Sequence, residues 1–281
     1  MKINEASNTI HQALVCRPGK NFSEGTLSTV GIPNHERALA QHQAYCDALQ
    51  KCGVDVTVLQ GDTFSPDGCF INSMAVVTEY LAVIGNSSND GLKSAEQKDV
   101  AAALAGSRFL KFITSPGRLH CGDVLQLNNH FYISLSEQTN QEGAAQLAFF
   151  LAESGYKVTM LAIDQERPVR LGTAVAYLGH NRILIREELA RHFSFLEYDQ
   201  VIVPYKERGA ANALLVNGTL VMPAGYSETL KKIRQLDIPV VEVNMSEFEK
   251  LNGGLSCLSL RISKAANSSG ITLPTKRQVA A

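Results

Sequence analysis

One unit recurs along the chain: an apolar run, a turn rich in Asn, a second apolar run, an amphipathic stretch, and a third apolar run. The clearest copy has Asn128-Asn129 leading into Phe131 to Leu135, a helical pattern over Glu142 to Ser154, and a buried strand at Val158 to Ile163. His180-Asn181 then leads into Ile183 to Ile185, a helix across Glu187 to Phe195, and Val201 to Val203. Asn217-Gly218 leads into Leu220 to Met222, a helix from Ser227 to Leu236, and Val240 to Val243.

Asn-Gly between apolar runs is a hairpin signal, because a type I′ turn places both central residues at positive φ. Leu214 to Val216 is therefore predicted to pair with Leu220 to Met222, Val124 to Leu127 with Phe131 to Leu135, and Val175 to Leu178 with Ile183 to Ile185. Upstream, Ala75 to Val77 and Tyr80 to Ile84 read as another hairpin, followed by a helix over Ala95 to Leu104 and a strand at Phe109 to Ile113. The first unit reads as a strand at Ala13 to Cys16, a helix at Glu36 to Cys52 and a strand at Val54 to Leu59. Five units of α/β type result. Periodicity shows the repeats but not their closure, so a ring and a doubly wound sheet both remain open at this point.

With 281 residues, 45% apolar, the chain can bury a core without disulfide or metal staples. A net charge of -1 gives no reason to expect nucleic acid or an anionic membrane as partner. There is no signal-peptide pattern at the N-terminus and no run of about 18 apolar residues, so a cytoplasmic location and no membrane association are expected. The six cysteines, Cys16, Cys46, Cys52, Cys69, Cys121 and Cys257, form no C-x-x-C pair, and no dinucleotide or phosphate-loop motif occurs. No metal, no cofactor, a small-molecule partner and a monomer or homodimer are the expectations. One domain over residues 1–262 and a disordered tail over 263–281 complete them.

The segment Asn252-Gly253-Gly254-Leu255-Ser256-Cys257-Leu258-Ser259-Leu260-Arg261 resembles the nucleophile segment of the dimethylarginine dimethylaminohydrolase family, of the guanidino-modifying pentein superfamily. Other matching segments follow the same order: Gln41 to Tyr45, Pro66 to Phe70, Gly122 to Leu125, Leu135-Ser136 with Thr139-Asn140, and Ala211 to Leu214 with Val216 to Gly218. The resemblance spans about residues 13 to 262 and implies a five-bladed α/β propeller. It also implies a cysteine thiolate that attacks a guanidinium carbon, a histidine that moves the proton of the leaving amine, and carboxylates that hold the planar cation.

Cys257 is retained as nucleophile and Asp67 as an acidic group at the pocket edge, although Pro66-Asp67-Gly68 is also ordinary turn chemistry. Phe70 is retained beside it. The family's Glu-Asp pair is replaced by Asn72 and Ser73, its acidic residue before Gly122-Asp123 by His120, and its histidine by Arg170. The arginines that grip the substrate's carboxylate have no counterpart: Gly85 to Ser88 and Glu137-Gln138 stand in their places. Arg170 cannot shuttle protons, because a guanidinium does not lose its proton in a protein.

Cys257, His120 and Arg170 are thus the candidate catalytic residues, with Asp67, Phe70, Asn72 and Ser73 as candidates for substrate binding. In this arrangement His120 would act as base or acid, while Arg170 would lower the thiol pKa or hold an oxyanion. The favoured reading is a divergent cysteine hydrolase or group transferase acting on a small non-peptide C–N or acyl-type substrate other than dimethylarginine. A non-catalytic binding module on the same scaffold and a genuine dimethylarginine or arginine hydrolase are the alternatives.

Overall fold

A computed structural model describes residues 9–25, 31–61, 65–86, 91–161 and 169–263. These form five three-stranded sheets, each a separate blade. The first joins β1 (Ile10–Cys16) and β2 (Asp55–Leu59) to β15 (Ser259–Ser263), the last strand of the chain. The second holds β3 (Ala75–Val77), β4 (Leu81–Ile84) and β5 (Phe109–Phe112). The third holds β6 (Val124–Leu127), β7 (His130–Ser134) and β8 (Lys157–Leu161), and the fourth β9 (Val175–Gly179), β10 (Arg182–Arg186) and β11 (Asp199–Val203). The fifth holds β12 (Leu214–Val216), β13 (Thr219–Pro223) and β14 (Val240–Val243). In every blade the middle strand pairs antiparallel with the inner strand and parallel with the outer one.

The hairpin turns carry the backbone that their sequence requires. His180 and Asn181 (φ 49° and 59°) and Asn217 and Gly218 (φ 48° and 84°) all lie in the left-handed region, where Asn and Gly are least strained. The parallel crossovers of blades one, two, three and five run through α1 (His35–Lys51), α2 (Gly91–Ala105), α3 (Gln141–Glu153) and, beyond the short helix α4 (Leu171–Ala174), α5 (Ser227–Arg234). Asn34 and Asn140 cap α1 and α3 by accepting from Arg37 N and Gly143 N.

Blade four departs from the expected helix across Glu187 to Phe195. The segment instead forms two single turns, Glu187–Leu189 and Phe193–Phe195. His192 Nδ1 accepts from Ser194 N and so starts a second turn in place of a continued helix. Leu189 and Phe195 are buried while Phe193 and Leu196 stay exposed, so the segment has no continuous apolar helical face.

Ring closure is a tertiary event. β15 pairs with β1 over Leu260↔Leu14 and its neighbours, so that the two ends of the described chain share one blade. The inner strands β15, β3, β6, β9 and β12 surround a cavity of about 630 Å³, whose wall includes Asn72, Gln126, Tyr177, Asn217, Ser256 and Arg261. At one end of this channel, a short turn precedes each inner strand: Ile71–Ser73, Cys121–Asp123, α4, Tyr205–Ala211 and Leu255–Cys257. These turns touch one another around the mouth, the first with the second and fifth, and α4 with the second, fourth and fifth.

Glu207 fixes the fourth of these turns. Its buried carboxylate accepts from Glu228 N at 3.0 Å and from Thr229 N and Oγ1 at 2.7 Å each, which caps the first turn of α5. Burial alone would push the Glu207 carboxyl up, but the hydrogen bonds from Glu228 and Thr229 outweigh it and hold the carboxyl below its ordinary 4.5. The unfolded chain therefore binds the extra proton below that pH. The contribution is complete above 4.5 and is lost as pH falls through the lower folded value. Glu207→Ala is expected to cost about 1–3 kcal/mol at neutral pH, since it leaves buried donors unpaired. Urea unfolding at pH 7 and again at pH 3 checks this, with a smaller difference between wild type and variant at the lower pH.

Candidate active site

The chain enters the Cys257 segment through α6 (Ser246–Glu249), a short helix anchored to α1. Gln41 of α1 donates to Asn244 Oδ1 (3.0 Å) and Ser246 Oγ (2.8 Å), and its carbonyl accepts from Glu247 N (3.0 Å). Phe248 packs edge-on against Phe22 and Phe70, with ring centroids 5.4 and 6.2 Å apart. Asn252, at φ 55°, then turns the backbone toward the channel.

The two glycines that follow are required by close approach. A Cβ on Gly253 would lie 2.1 Å from Phe70 Cζ, and one on Gly254 would lie 2.2 Å from Asn212 Nδ2. Asn212 uses that proximity: its Oδ1 accepts from Ser256 N at 2.8 Å. Ser256 Oγ in turn donates to Gly172 O on α4 at 2.8 Å. The residue before Cys257 is thereby tied to two neighbouring turns. Cys257 N donates to Gly254 O at 3.0 Å, and its half-buried thiol lies 3.9 Å from Ser256 Oγ.

Cys257 is half-buried, unlike four of the other thiols. Cys16, Cys46, Cys69 and Cys121 are buried, and burial pushes Cys46 up to about 11 and Cys69 and Cys121 far upward. Cys52 is half-buried and is also pushed up by burial.

The residues named from the sequence fall into two groups. Phe70, Asn72 and Ser73 lie on or beside the first turn, which touches the Cys257 turn. Phe70 is buried against Gly253, Asn72 lines the channel, and Ser73 Oγ donates back to Phe70 O at 2.9 Å. Asp67 accepts from Ser65 Oγ at 2.8 Å through its carboxylate and from Phe70 N through its carbonyl, so it does serve as a turn residue. It is also close enough to Cys69 for its charge to push that thiol further up.

His120 and Arg170 precede the second and third turns. His120 is 6% exposed, with its backbone N–H donating to Thr139 Oγ1. Its Nδ1 accepts from Gly122 N at 3.2 Å. A backbone N–H can only donate, so in this arrangement the neutral ring carries its proton on Nε2. Arg170 is exposed and makes no side-chain cap on α4, the helix that touches both the His120 turn and the Cys257 turn.

Arg261 has no assigned role in the sequence reading, although it closes the segment that carries Cys257. It is half-buried on β15, lines the channel, and donates from Nη1 to Ser259 O (3.4 Å) and Oγ (3.3 Å). Tyr45 OH lies 2.7 Å from the same Ser259 Oγ. The available signal was strand alternation: Ser259 and Arg261 share one face of β15 two residues past the turn. Among the described residues no group of three or more His, Cys, Asp or Glu side chains is placed to hold a metal, and no helix is long and apolar enough to cross a membrane.

Comparison with known proteins now adds to this geometry. A family model described as N,N dimethylarginine dimethylhydrolase, eukaryotic, matches residues 22–202. An N(G),N(G)-dimethylarginine dimethylaminohydrolase from Pseudomonas aeruginosa is 36% identical over 248 residues, covering 87% of this chain and 96% of that protein. The chain belongs to the dimethylarginine dimethylaminohydrolase family. A Streptomyces coelicolor protein of the same description is 28% identical over 260 residues, covering 89% of this chain and 96% of that one. Within the family's solved structures, a cysteine-to-serine variant of the Pseudomonas aeruginosa enzyme complexed with citrulline superposes with a TM-score of 0.85 at 32% identity, covering 90% of this chain and all of the other. A family member's adduct with S-methyl-L-thiocitrulline gives 0.83 at 34%, with the same coverage. The N-terminal domain of ArgZ, a cyanobacterial arginine dihydrolase, shares the fold at 18% identity and a TM-score of 0.78, covering 90% of this chain and 98% of that domain. The chain is thus a dimethylarginine dimethylaminohydrolase-like hydrolase of pentein fold.

Proposed function

We propose that this family member uses Cys257 as a covalent nucleophile on a small neutral or anionic C–N or acyl-type substrate, in place of dimethylarginine. The observation that carries the reading is the charge around the nucleophile. Asn72 and Ser73 are neutral, His120 is ordered with its proton on Nε2, and the guanidinium of Arg261 stands on the same channel wall as Ser256. A guanidinium substrate needs anionic partners, and Asp67 alone remains of those that the family resemblance implies.

In the proposed reaction the thiolate sulfur attacks the electrophilic carbon, a C–S bond forms, and the C–N or acyl bond to the leaving group breaks. The leaving group departs with a proton taken from solvent water, while His120 Nε2–H would donate a hydrogen bond to the atom on which charge develops. Water, or an acceptor in a group transfer, then attacks the adduct carbon, gives its proton to solvent and breaks the C–S bond, which regenerates the thiolate. Arg170, exposed at the start of α4, would receive the anionic end of a substrate as it enters.

Dimethylarginine supplies the test. Citrulline formation is expected to fall at least about 10²-fold below an enzymatic rate of about 1 s⁻¹. Citrulline production at about 1 s⁻¹ or faster would overturn the substrate assignment, though not the nucleophile.

A further inference from the structure

The channel has a second end, where the hairpins turn, opposite the turns that carry His120 and Cys257. In each inner strand one side chain between two buried neighbours is not itself buried: Val77, Gln126, Tyr177, Leu215 and Arg261, one from each blade. All five line the cavity of about 630 Å³, because strand alternation sends their neighbours into the packing between blades and leaves these on the axis. From this ring toward the hairpins the lining is exposed, at Asn128, His180 and Asn217; toward the turns it is buried, at Cys121, Ala213 and Ser256. The cavity therefore opens at the hairpin end, and its volume falls in the range of about 300–1,000 Å³ that small-molecule sites occupy.

Arg261 is the charged member of the ring, and among the described residues no carboxylate pairs with it. Its partners are neutral. Ser259 O and Oγ accept from Nη1 at 3.4 and 3.3 Å, and the same Oγ lies 2.7 Å from the Tyr45 hydroxyl, which burial pushes up to about 12 and so leaves uncharged at neutral pH. Even with that hydroxyl counted, three oxygens face five N–H donors. Glu79 is the carboxylate on the lining, and its charge acts on Arg108. The rest of the ring is half apolar, at Val77 and Leu215, and half hydrogen-bonding. Tyr177 OH accepts from Asn181 N at 3.4 Å and keeps its own proton to donate, while Gln126 donates to Asn128 O at 2.9 Å and keeps its carbonyl.

We propose that the hairpin end of the channel is a binding site for a small monocarboxylate, gripped by the N–H groups of Arg261 that Ser259 and Tyr45 leave free. Val77 and Leu215 take the ligand's short apolar body, and Gln126 and Tyr177 serve a hydroxyl or keto group on it. The site goes beyond the proposed reaction and does not depend on what Cys257 does.

The test is isothermal titration calorimetry of the full chain with butyrate at pH 7 and low salt, with butyramide and inorganic phosphate as comparisons. Wild type should bind one butyrate with a Kd of about 1 mM or tighter, and the uncharged butyramide at least about tenfold more weakly. Arg261→Gln should weaken butyrate at least about tenfold, and so should Gln126→Glu, which sets a carboxylate in the same ring. Arg170→Gln, at the far end, should leave butyrate binding unchanged. No saturable binding by wild type, equal binding of butyrate and butyramide, or binding unaffected by both ring variants would overturn the proposal. Loss in Arg170→Gln with retention in Arg261→Gln would also overturn it, by placing the carboxylate at the turn end, and would leave the proposed reaction standing. Phosphate bound more tightly than butyrate would overturn the carboxylate assignment. Should Arg261→Gln not fold, unchanged butyrate binding in Gln126→Glu, a substitution at an exposed position, overturns the proposal.

Discussion

Brief treatment with substoichiometric iodoacetamide at neutral pH is expected to label Cys257 at least tenfold faster than any other cysteine, and Cys257→Ser to abolish both that labelling and turnover. The first half follows from access and charge. Four of the other cysteines are buried, and burial pushes the thiols of Cys46, Cys52, Cys69 and Cys121 upward, away from the reactive thiolate. Cys257 is half-buried on the fifth turn, with Arg261 on the strand that follows. The second half follows from chemistry, since a serine hydroxyl lacks the thiol's acidity and here has no partner arranged to take its proton: His120 Nδ1 is occupied by Gly122 N–H. The expected loss is about 10³-fold or more on any substrate that forms a covalent adduct. Mass spectrometry of the intact chain after incubation with candidate substrates reads the same step directly. An adduct that persists in Cys257→Ser would remove Cys257 from the mechanism, and with it the feature that distinguishes an enzyme from a binding module on this scaffold.

Gly254→Ala should disable the site without touching a reacting group. Gly254 is in extended backbone (φ -170°, ψ -167°), which alanine adopts freely, so the penalty comes from contact alone. The new Cβ would lie 2.2 Å from Asn212 Nδ2 and 2.6 Å from its Cγ. Asn212 is 6% exposed and flanked by buried Ala211 and Ala213, so its side chain has little room to withdraw. If it does withdraw, Ser256 N loses its acceptor in a buried position. Overpacking of about 1–3 kcal/mol and an unpaired buried donor of about 1–3 kcal/mol share one site and overlap, so the expected loss is about 2–4 kcal/mol. The melting temperature should fall by about 5 °C or more, and alkylation of the folded protein should lose its preference for Cys257. A double variant with Asn212→Gly makes room for the methyl group and should recover stability relative to the overpacked single variant, but not the alkylation preference, because Ser256 N still lacks its acceptor. Unchanged stability in Gly254→Ala would show that the close approach of the two turns is not a constraint.

Hairpins and crossovers were legible because they are local. Asn217-Gly218 and His180-Asn181 carry their positive φ whatever surrounds them, and alternating or continuous apolar runs specify strands without reference to partners. Blade four shows where that logic ends. Over Glu187 to Phe195 the composition permits a helix, and only the packing of Leu189 and Phe195, with His192 capping a new turn, decides against it. The inner strand of blade one was not legible as such, since β15 gains its place by pairing with β1 from the opposite end of the chain.

The candidate site divides along the same line. Cys257 and its two glycines stand in one short motif, and the resemblance assigned them without any geometry. The substitutions at Asn72, Ser73, His120 and Arg170 could be named from the sequence, but what each does depends on neighbours brought together by folding. Ser73 spends its hydroxyl on Phe70 O, His120 spends Nδ1 on Gly122, and Arg170 lies exposed. Arg261 was in plain view and carried no meaning until Tyr45, distant in sequence by more than two hundred residues, was placed against Ser259. The sequence by itself determined the repeated unit and the turn chemistry, because these depend on bonded neighbours and local backbone preference. Only the tertiary structure decided the closure of the ring and the neighbours of Cys257, because pairing and packing act between atoms close in space, however far apart they lie along the chain.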